Sequence, residues 1–182
     1  MSNDSLAIEY GDHRPVQHLI DCLQFGLEGI SAAFEKYDEQ FVKGPGLYFA
    51  VVSGCSVDEY ADPMGDNRWP VENYREVTAD LDTFTDVAYD VATSCDGAVV
   101  VSVDGVISDQ MVRFKDVGVE GAPDYADWMG SRHMSAYDIS TRQDVVATIT
   151  LSEETGRVTR FQSGSYTSLE RDELGTPWRG KG

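Results

Sequence analysis

The sequence predicts a single α/β domain: a twisted mixed β-sheet flanked by helices. Three observations predict it. A long apolar stripe at helical spacing lies near the N-terminus, several short apolar runs are bounded by turn residues, and those runs alternate with helical segments around one hairpin. A chain of 182 residues is long enough to bury a core of this kind.

Pro15 suits the first turn of a helix, and Asp12 stands where a cap is needed. Val16, Leu19, Ile20, Leu23, Leu27, Ile30 and Phe34 then follow a 3.6-residue period, which carries the helix to about Tyr37. "GPGLYFAVVSG" reads as a turn, a buried strand over Leu47 to Val52, and a second turn. "CSVDEYADPMGDNRWP" is polar and aperiodic, so a loop is expected. Residues 71–93 read as helical, with Val87, Ala88 and Val91 facing inward. Ala98 to Val103 is a buried strand, and Asp104-Gly105 signals a two-residue hairpin in which both residues take positive φ. Val106 opens the returning strand, residues 116–129 form a loop, and residues 131–143 form a helix. "DVVATITL", "SEETG" and "RVTRF" read as strand, turn and strand. Pattern is lost after Gly164, where a mobile tail is expected. The resulting organisation is an N-terminal helical segment packed on the core (1–45), a main domain (46–164) and a C-terminal tail (165–182).

Composition narrows the function. Apolar residues make up 41% of the chain, enough for a folded core. The formal net charge is −18, from 20 Asp and 12 Glu against 10 Arg and 4 Lys. The acids are spread along the whole chain, the pattern of a halophilic protein whose self-repulsion is screened by salt. Such a surface disfavours nucleic acid and anionic membranes. No apolar run reaches membrane-spanning length, and "MSNDSLAIEYGDHRP" has no apolar signal region, so a cytoplasmic location is expected. Cys22, Cys55 and Cys95 are far apart and odd in number, which argues for free thiols rather than disulfides or zinc.

Three short segments carry the chemistry. Asp96-Gly97-Ala98 begins a strand, Gly130-Ser131-Arg132-His133 begins a helix, and Ser152-Glu153-Glu154-Thr155-Gly156 ends a strand. A helix start offers backbone N–H donors at its positive end, and Ser131 adds a hydroxyl. Arg132 supplies a planar charged fork for phosphate oxygens. Asp96 is suited to a divalent cation that neutralises the same phosphates, and Gly97 lets a ligand lie close to the backbone. Taken singly, each has an ordinary explanation: a turn, an N-cap, a surface ion pair, solvated turn carboxylates. Taken together at element ends that can share a cleft, they point to a phosphate site.

The stretches "DGAVVV", "GSRHMSA" and "TLSEETG" resemble, in this order, the motifs of the diadenylate cyclase (DAC) domain family. The family has Asp-Gly-Ala on a strand, Gly-Thr-Arg-His-Arg opening a helix, and a strand ending in Ser-Glu-Glu-Thr-Gly. The resemblance is clear over roughly residues 90–164. It implies a DAC-like fold and the condensation of two ATP into the second messenger cyclic di-AMP, with release of pyrophosphate. It further implies a divalent metal (Mn²⁺ or Mg²⁺) and a face-to-face homodimer or higher oligomer. Asp96, Arg132 and His133 would be catalytic. Gly97, Ala98, Arg113, Phe114, Ser131, Arg132, His133, Met134, Ser135, Ser152 and Glu153 would contact ATP, with the backbone of Val112–Phe114 reading the adenine edge. Asp96 and Glu154 would hold the metal. Two positions depart from the family: Ser131 replaces its threonine and keeps the hydroxyl, whereas Met134 replaces its second arginine and removes a cation.

Two other readings compete with a cyclase. One is a nucleotide-binding sensor of the same fold that has lost turnover, favoured by Met134. The other is an interaction protein that uses the 16–34 helix, for which ATP would give no thermal shift.

The charge pattern generates a prediction independent of the site. Dialysis from molar KCl into dilute buffer should lower the melting temperature and abolish activity. Equal stability in the two solutions, read by calorimetry, would sink the halophilic reading.

Overall fold

The computed structural model describes residues 13–53, 56–65, 69–70, 76–115 and 123–178. The order of elements is α1 (Arg14–Ala33), β1 (Leu47–Val52), β2 (Ala61–Pro63), α2 (Glu76–Ala79), α3 (Leu81–Ser94), β3 (Ala98–Ser102), β4 (Ile107–Phe114), α4 (Ser131–Ser140), β5 (Val145–Leu151), β6 (Val158–Gln162) and β7 (Ser165–Leu169). The strands form one seven-stranded mixed sheet in the order β2-β4-β3-β1-β5-β6-β7. Only β1 and β3 pair in parallel, and every other ladder is antiparallel. The expected mixed α/β fold is the observed one.

β1 lies at the centre because it is apolar at every position, and all six of its residues are buried. Successive side chains point to opposite faces. Leu47, Phe49 and Val51 join Leu19, Leu23 and Leu27 of α1 and Phe84 and Ala88 of α3 in the larger core. Tyr48, Ala50 and Val52 face the other way, where Ala136 and Ile139 of α4 pack. The sheet therefore separates α1–α3 from α4. Arg160 of β6 reaches under α1, donating to Asp21 at 2.9 Å, Gln24 at 3.1 Å and Gln17 at 3.0 Å.

Several boundaries differ from the sequence expectations. α1 ends at Ala33, short of Tyr37. Its N-cap is His13, and the expected cap, Asp12, lies outside the described residues. The helix expected over 71–93 is two helices, and its first residues fall outside the described set. Asp80 separates them because its carboxylate accepts from the Thr83 amide at 3.0 Å and the Thr83 hydroxyl at 2.7 Å, capping α3. The Asp104-Gly105 hairpin has a three-residue loop, not two. The Gly105 amide bonds to the Ser102 carbonyl and the Ser102 amide to the Val106 carbonyl, and of the two turn residues only Gly105 has positive φ. Cys22 is buried as a free thiol, Cys95 is half-buried, and Cys55 lies outside the described residues.

Two strands arise where no periodicity was visible. β2 is a three-residue edge strand in the aperiodic loop, and Pro63 is tolerated there because an edge leaves one side of the backbone unpaired. β7 and two 3₁₀ turns (Arg171–Glu173 and Thr176–Trp178) occupy the segment expected to be a patternless tail. What fixes this segment is polar. Buried Glu28 of α1 accepts from the Gly175 amide at 2.8 Å and from the Trp178 indole N–H at 2.7 Å. Arg171 donates to the carbonyls of Ser31 and Phe34 at the C-terminal end of α1.

Glu28→Ala should therefore cost about 1.5–3 kcal/mol, the range for hydrogen bonds to a charged group. It should also open the 170–178 segment to proteolysis. Urea unfolding of wild type and variant checks the first expectation, and a cleavage time course checks the second.

Candidate nucleotide site

The three segments singled out in the sequence meet at one end of the sheet. Here β1, β3 and β6 begin, β4 and β5 end, and α4 presents its N-terminus. Together they line a cleft of about 690 Å³. Its walls include Asp96, Gly97, Ala98, Arg113, Phe114, Ser131, Arg132, His133, Ser135, Ser152, Glu153 and Glu154. These are all of the sequence-predicted site residues except Met134. On α4, Met134 shares a side with Asp138 one turn later, and both line a smaller neighbouring hollow with Phe114, Lys115 and Tyr125.

Each segment is held by specific local bonds. Gly97 has φ +87°, and a Cβ there would lie 3.0 Å from the Met111 backbone of β4. Glycine is thus required by the close approach of the neighbouring strand, a different reason from the ligand contact expected. Gly130, not Ser131, is the N-cap of α4, so the exposed Ser131 hydroxyl is the first helical side chain at the cleft. Ser152 is buried, and its hydroxyl oxygen accepts from the amides of Glu154 and Thr155, both at 3.3 Å. That shapes the turn and leaves the hydroxyl hydrogen to donate into the cleft. Along β4, the Met111 carbonyl accepts from Met64 and the Lys115 amide donates to Tyr60, so these residues bond toward β2. The alternate residues Val112 and Phe114 turn their backbone groups to the β3 side. Val112 faces Ala98, the first residue of β3, and Phe114 lies beyond it, so its backbone N–H and carbonyl are directed into the cleft.

The charges are arranged unevenly. Arg132 lies 3.9 Å from the Glu153 carboxylate, which also binds Lys43 at 3.2 Å. Gly46 is packed against this pair: a Cβ there would stand 2.5 Å from Arg132 Nη1 and 2.8 Å from Glu153 Cβ. Glu153 therefore serves as a brace for Arg132, while Glu154 and Asp96 are exposed at the rim. His133 is buried, its ring is edge-on to Trp128 at 5.2 Å, and its Nε2 has no hydrogen-bond partner among the described residues. Burial, followed by the charges of Arg132 and Arg157, pushes its pKa down to about 4. The imidazole is neutral at pH 7.

Sequence reasoning missed Tyr48, Met64, Trp128 and Arg157, which also line the cleft together with Thr155 of the third segment. Arg157 directly follows the Ser-Glu-Glu-Thr-Gly turn, and that adjacency was the available signal. Trp128 lay in a stretch read only as loop. Tyr48 hydroxyl and Ser135 Oγ are 3.4 Å apart, joining the start of β1 to α4.

Comparison with known proteins yields one family match and a shared fold. The model of the family described as "DisA bacterial checkpoint controller nucleotide-binding" matches residues 78–166, a span containing all three segments. No curated protein matches the chain significantly. Among solved structures, a hypothetical membrane spanning protein from Bacillus cereus aligns with a TM-score of 0.55 at 15% identity, over 83% of this chain and 63% of that one. The chain thus spans less than two thirds of that protein's solved length. A double mutant of DacA from Staphylococcus aureus aligns with a TM-score of 0.52 at 16% identity, over 86% of this chain and 89% of that one. At these identities the likeness shows a shared fold. Among the described residues, no helix is long and apolar enough to cross a membrane.

The state of His133 has a consequence for pH. Its folded pKa is about 4, below the ordinary 6.5, so between these values the unfolded chain takes up a proton that the native state refuses. The stability contribution is full above pH 6.5 and is lost as pH falls toward 4. An NMR titration should find this ring neutral until near pH 4, and His133→Gln should lose less stability on acidification than wild type. Titration of His133 near 6.5 would contradict the buried, neutral state.

Proposed function

We propose that this protein is a diadenylate cyclase, joining two ATP into cyclic di-AMP with release of two pyrophosphates. The observation that carries the reading is the convergence of Asp96-Gly97-Ala98, Ser131-Arg132-His133 and Ser152-Glu153 on one cleft whose buried imidazole has an unpartnered nitrogen. The family match over 78–166 supports nucleotide binding by this part of the chain.

In this mechanism the backbone of Phe114 holds the adenine edge, and Ala98 and Tyr48 wall the base and sugar. Ser131, Arg132, the α4 N-terminus and the Ser152 hydroxyl hold the phosphates, which supply the acceptors these donors need. His133, neutral at pH 7, presents Nε2 to a phosphate oxygen, and the incoming negative charge favours its protonation. The 3′-hydroxyl of one ATP attacks the α-phosphorus of the other. The new P–O bond forms as the bond to the β-phosphate breaks, and pyrophosphate leaves with that electron pair. Asp96, which lines the cleft, would orient the hydroxyl and accept its proton. Repetition in the reverse sense closes the ring. Each cleft holds one ATP, so two copies of the chain meet face to face with their clefts opposed.

Mn²⁺ or Mg²⁺ fits this donor set. Asp96 and Glu154 would hold it, because such ions take one or two carboxylates and complete their shell with substrate phosphates. When bound, the ion neutralises phosphate charge and favours ionisation of the attacking hydroxyl.

Incubation of the protein with ATP and Mn²⁺ or Mg²⁺ in high salt should yield cyclic di-AMP, identified by chromatography. Asp96→Asn keeps the shape and removes the charge. It should abolish product while the variant stays folded and still shifts its melting temperature with ATP. Near-normal turnover by the folded variant would remove Asp96 from the chemistry. ATP binding without product in the wild type would replace the cyclase with a nucleotide sensor.

A further inference from the structure

The cleft contains a cation that none of the three segments supplies. Arg157 lines it, just after the Ser152–Gly156 turn, and its carbonyl accepts from the Ser152 amide at 2.9 Å. Its guanidinium carbon lies 4.4 Å over the Trp128 ring, the same ring that meets His133 edge-on. Nη1 donates to the Ser168 hydroxyl at 3.2 Å and Nη2 to Glu170 at 2.7 Å, and the side chain is only 19% exposed. These contacts fix the plane of the fork and use two of its five N–H donors. Glu170 is 61% exposed, so solvent screens it and the pair is not a closed charge.

Position across the sheet gives this cation a distinct task. Asp96 precedes β3 and Arg157 precedes β6, with β1 and β5 between them. Three strand spacings put the two ends of the cleft about 14 Å apart. A nucleotide with its reacting sugar and α-phosphate near Asp96 therefore extends its remaining phosphates across Arg132 toward Arg157.

We propose that Arg157 is a binding residue for the phosphates beyond the α-phosphate, held in place by Trp128, Ser168 and Glu170. The inference rests on the nucleotide reading of the cleft. It makes recognition of the triphosphate, and of the pyrophosphate that leaves, depend on β7 and the residues that follow it.

The test is calorimetric titration of the full chain with ATP and, separately, with AMP, which lacks the distal phosphates. Arg157→Gln should weaken ATP binding about tenfold or more, as expected for loss of a charge-assisted fork, with AMP binding nearly unchanged. Arg157→Lys, which keeps the charge without the fork, should fall between wild type and Arg157→Gln and serves if the glutamine variant does not fold. Equal affinity of wild type and variants for ATP would overturn the proposal while the nucleotide site stands. Equal loss for ATP and AMP would also overturn it, by showing that Arg157 only supports the walls. A wild type that binds neither would remove the nucleotide reading itself and this inference with it.

Discussion

The antiparallel ladder between β1 and β5 runs from Leu47 opposite Leu151 to Val52 opposite Val145. β1 is buried throughout and β5 at all but one position, so a slip of one residue would exchange the side chains packed under α1 and α3 with those packed under α4. This register fixes where both strands stop. It places Gly46, just before β1, against Glu153, just after β5, and the Gly44 amide donates to the Glu153 carbonyl at 2.7 Å. The turn that carries Ser152, Glu153 and Glu154 is therefore located by the core. On the opposite face, Thr148 of β5 donates to the Ala136 carbonyl at 2.8 Å, which anchors α4 and with it Arg132 and His133. These cleft-lining groups are positioned by one hydrophobic pairing and a few hydrogen bonds at its end.

Cations are scarce in this chain, and the described arginines are largely spent as internal fasteners. Arg160 joins β6 to α1, Arg171 ties the C-terminal segment to the end of α1, and Arg142 stacks on Tyr60 at 3.8 Å while pairing with Asp144 at 2.8 Å. A planar fork suits such roles, since it donates several bonds at once and lies flat on aromatic rings. Among the described residues, exposed carboxylates outnumber exposed cations. The cleft is an exception, with Arg113, Arg132 and Arg157 gathered around it. Its lining also holds Asp96, Glu153 and Glu154, so the cleft is formally balanced within a chain of net charge −18.

Much of the central architecture was legible because it is written in apolar runs. β1, β3 and β5 are continuous stretches of buried residues, and α1 carries a clean helical stripe. The edges were not legible. β2 includes a proline and two exposed residues, and β7 has no fully buried position, so neither shows the alternation that marks a strand. Both exist because a formed sheet offers unpaired backbone groups to whatever segment returns beside it. The same reason hid part of the site. Asp96, Arg132 and His133 stand in compact motifs, whereas Arg157 gains its setting only from Trp128 and from Ser168 and Glu170, which the unforeseen strand delivers. Gly97 was found for an incomplete reason, since the approach of Met111 depends on a bulge in β4 that no local pattern announces.

The placement of β1 also governs the order in which the chain can assemble. Phe49 pairs with Val99 on one side and Ile149 on the other, so the first strand synthesised must wait for segments far along the chain. Contacts this distant in sequence close slowly, because loop entropy is lost before the ladder repays it. Until β5 emerges, β1 can pair only with β3, and its other apolar edge stays open. An acidic chain in this state repels its own copies, and that repulsion guards the wait against aggregation. The charge that burdens the finished fold thus protects the unfinished one.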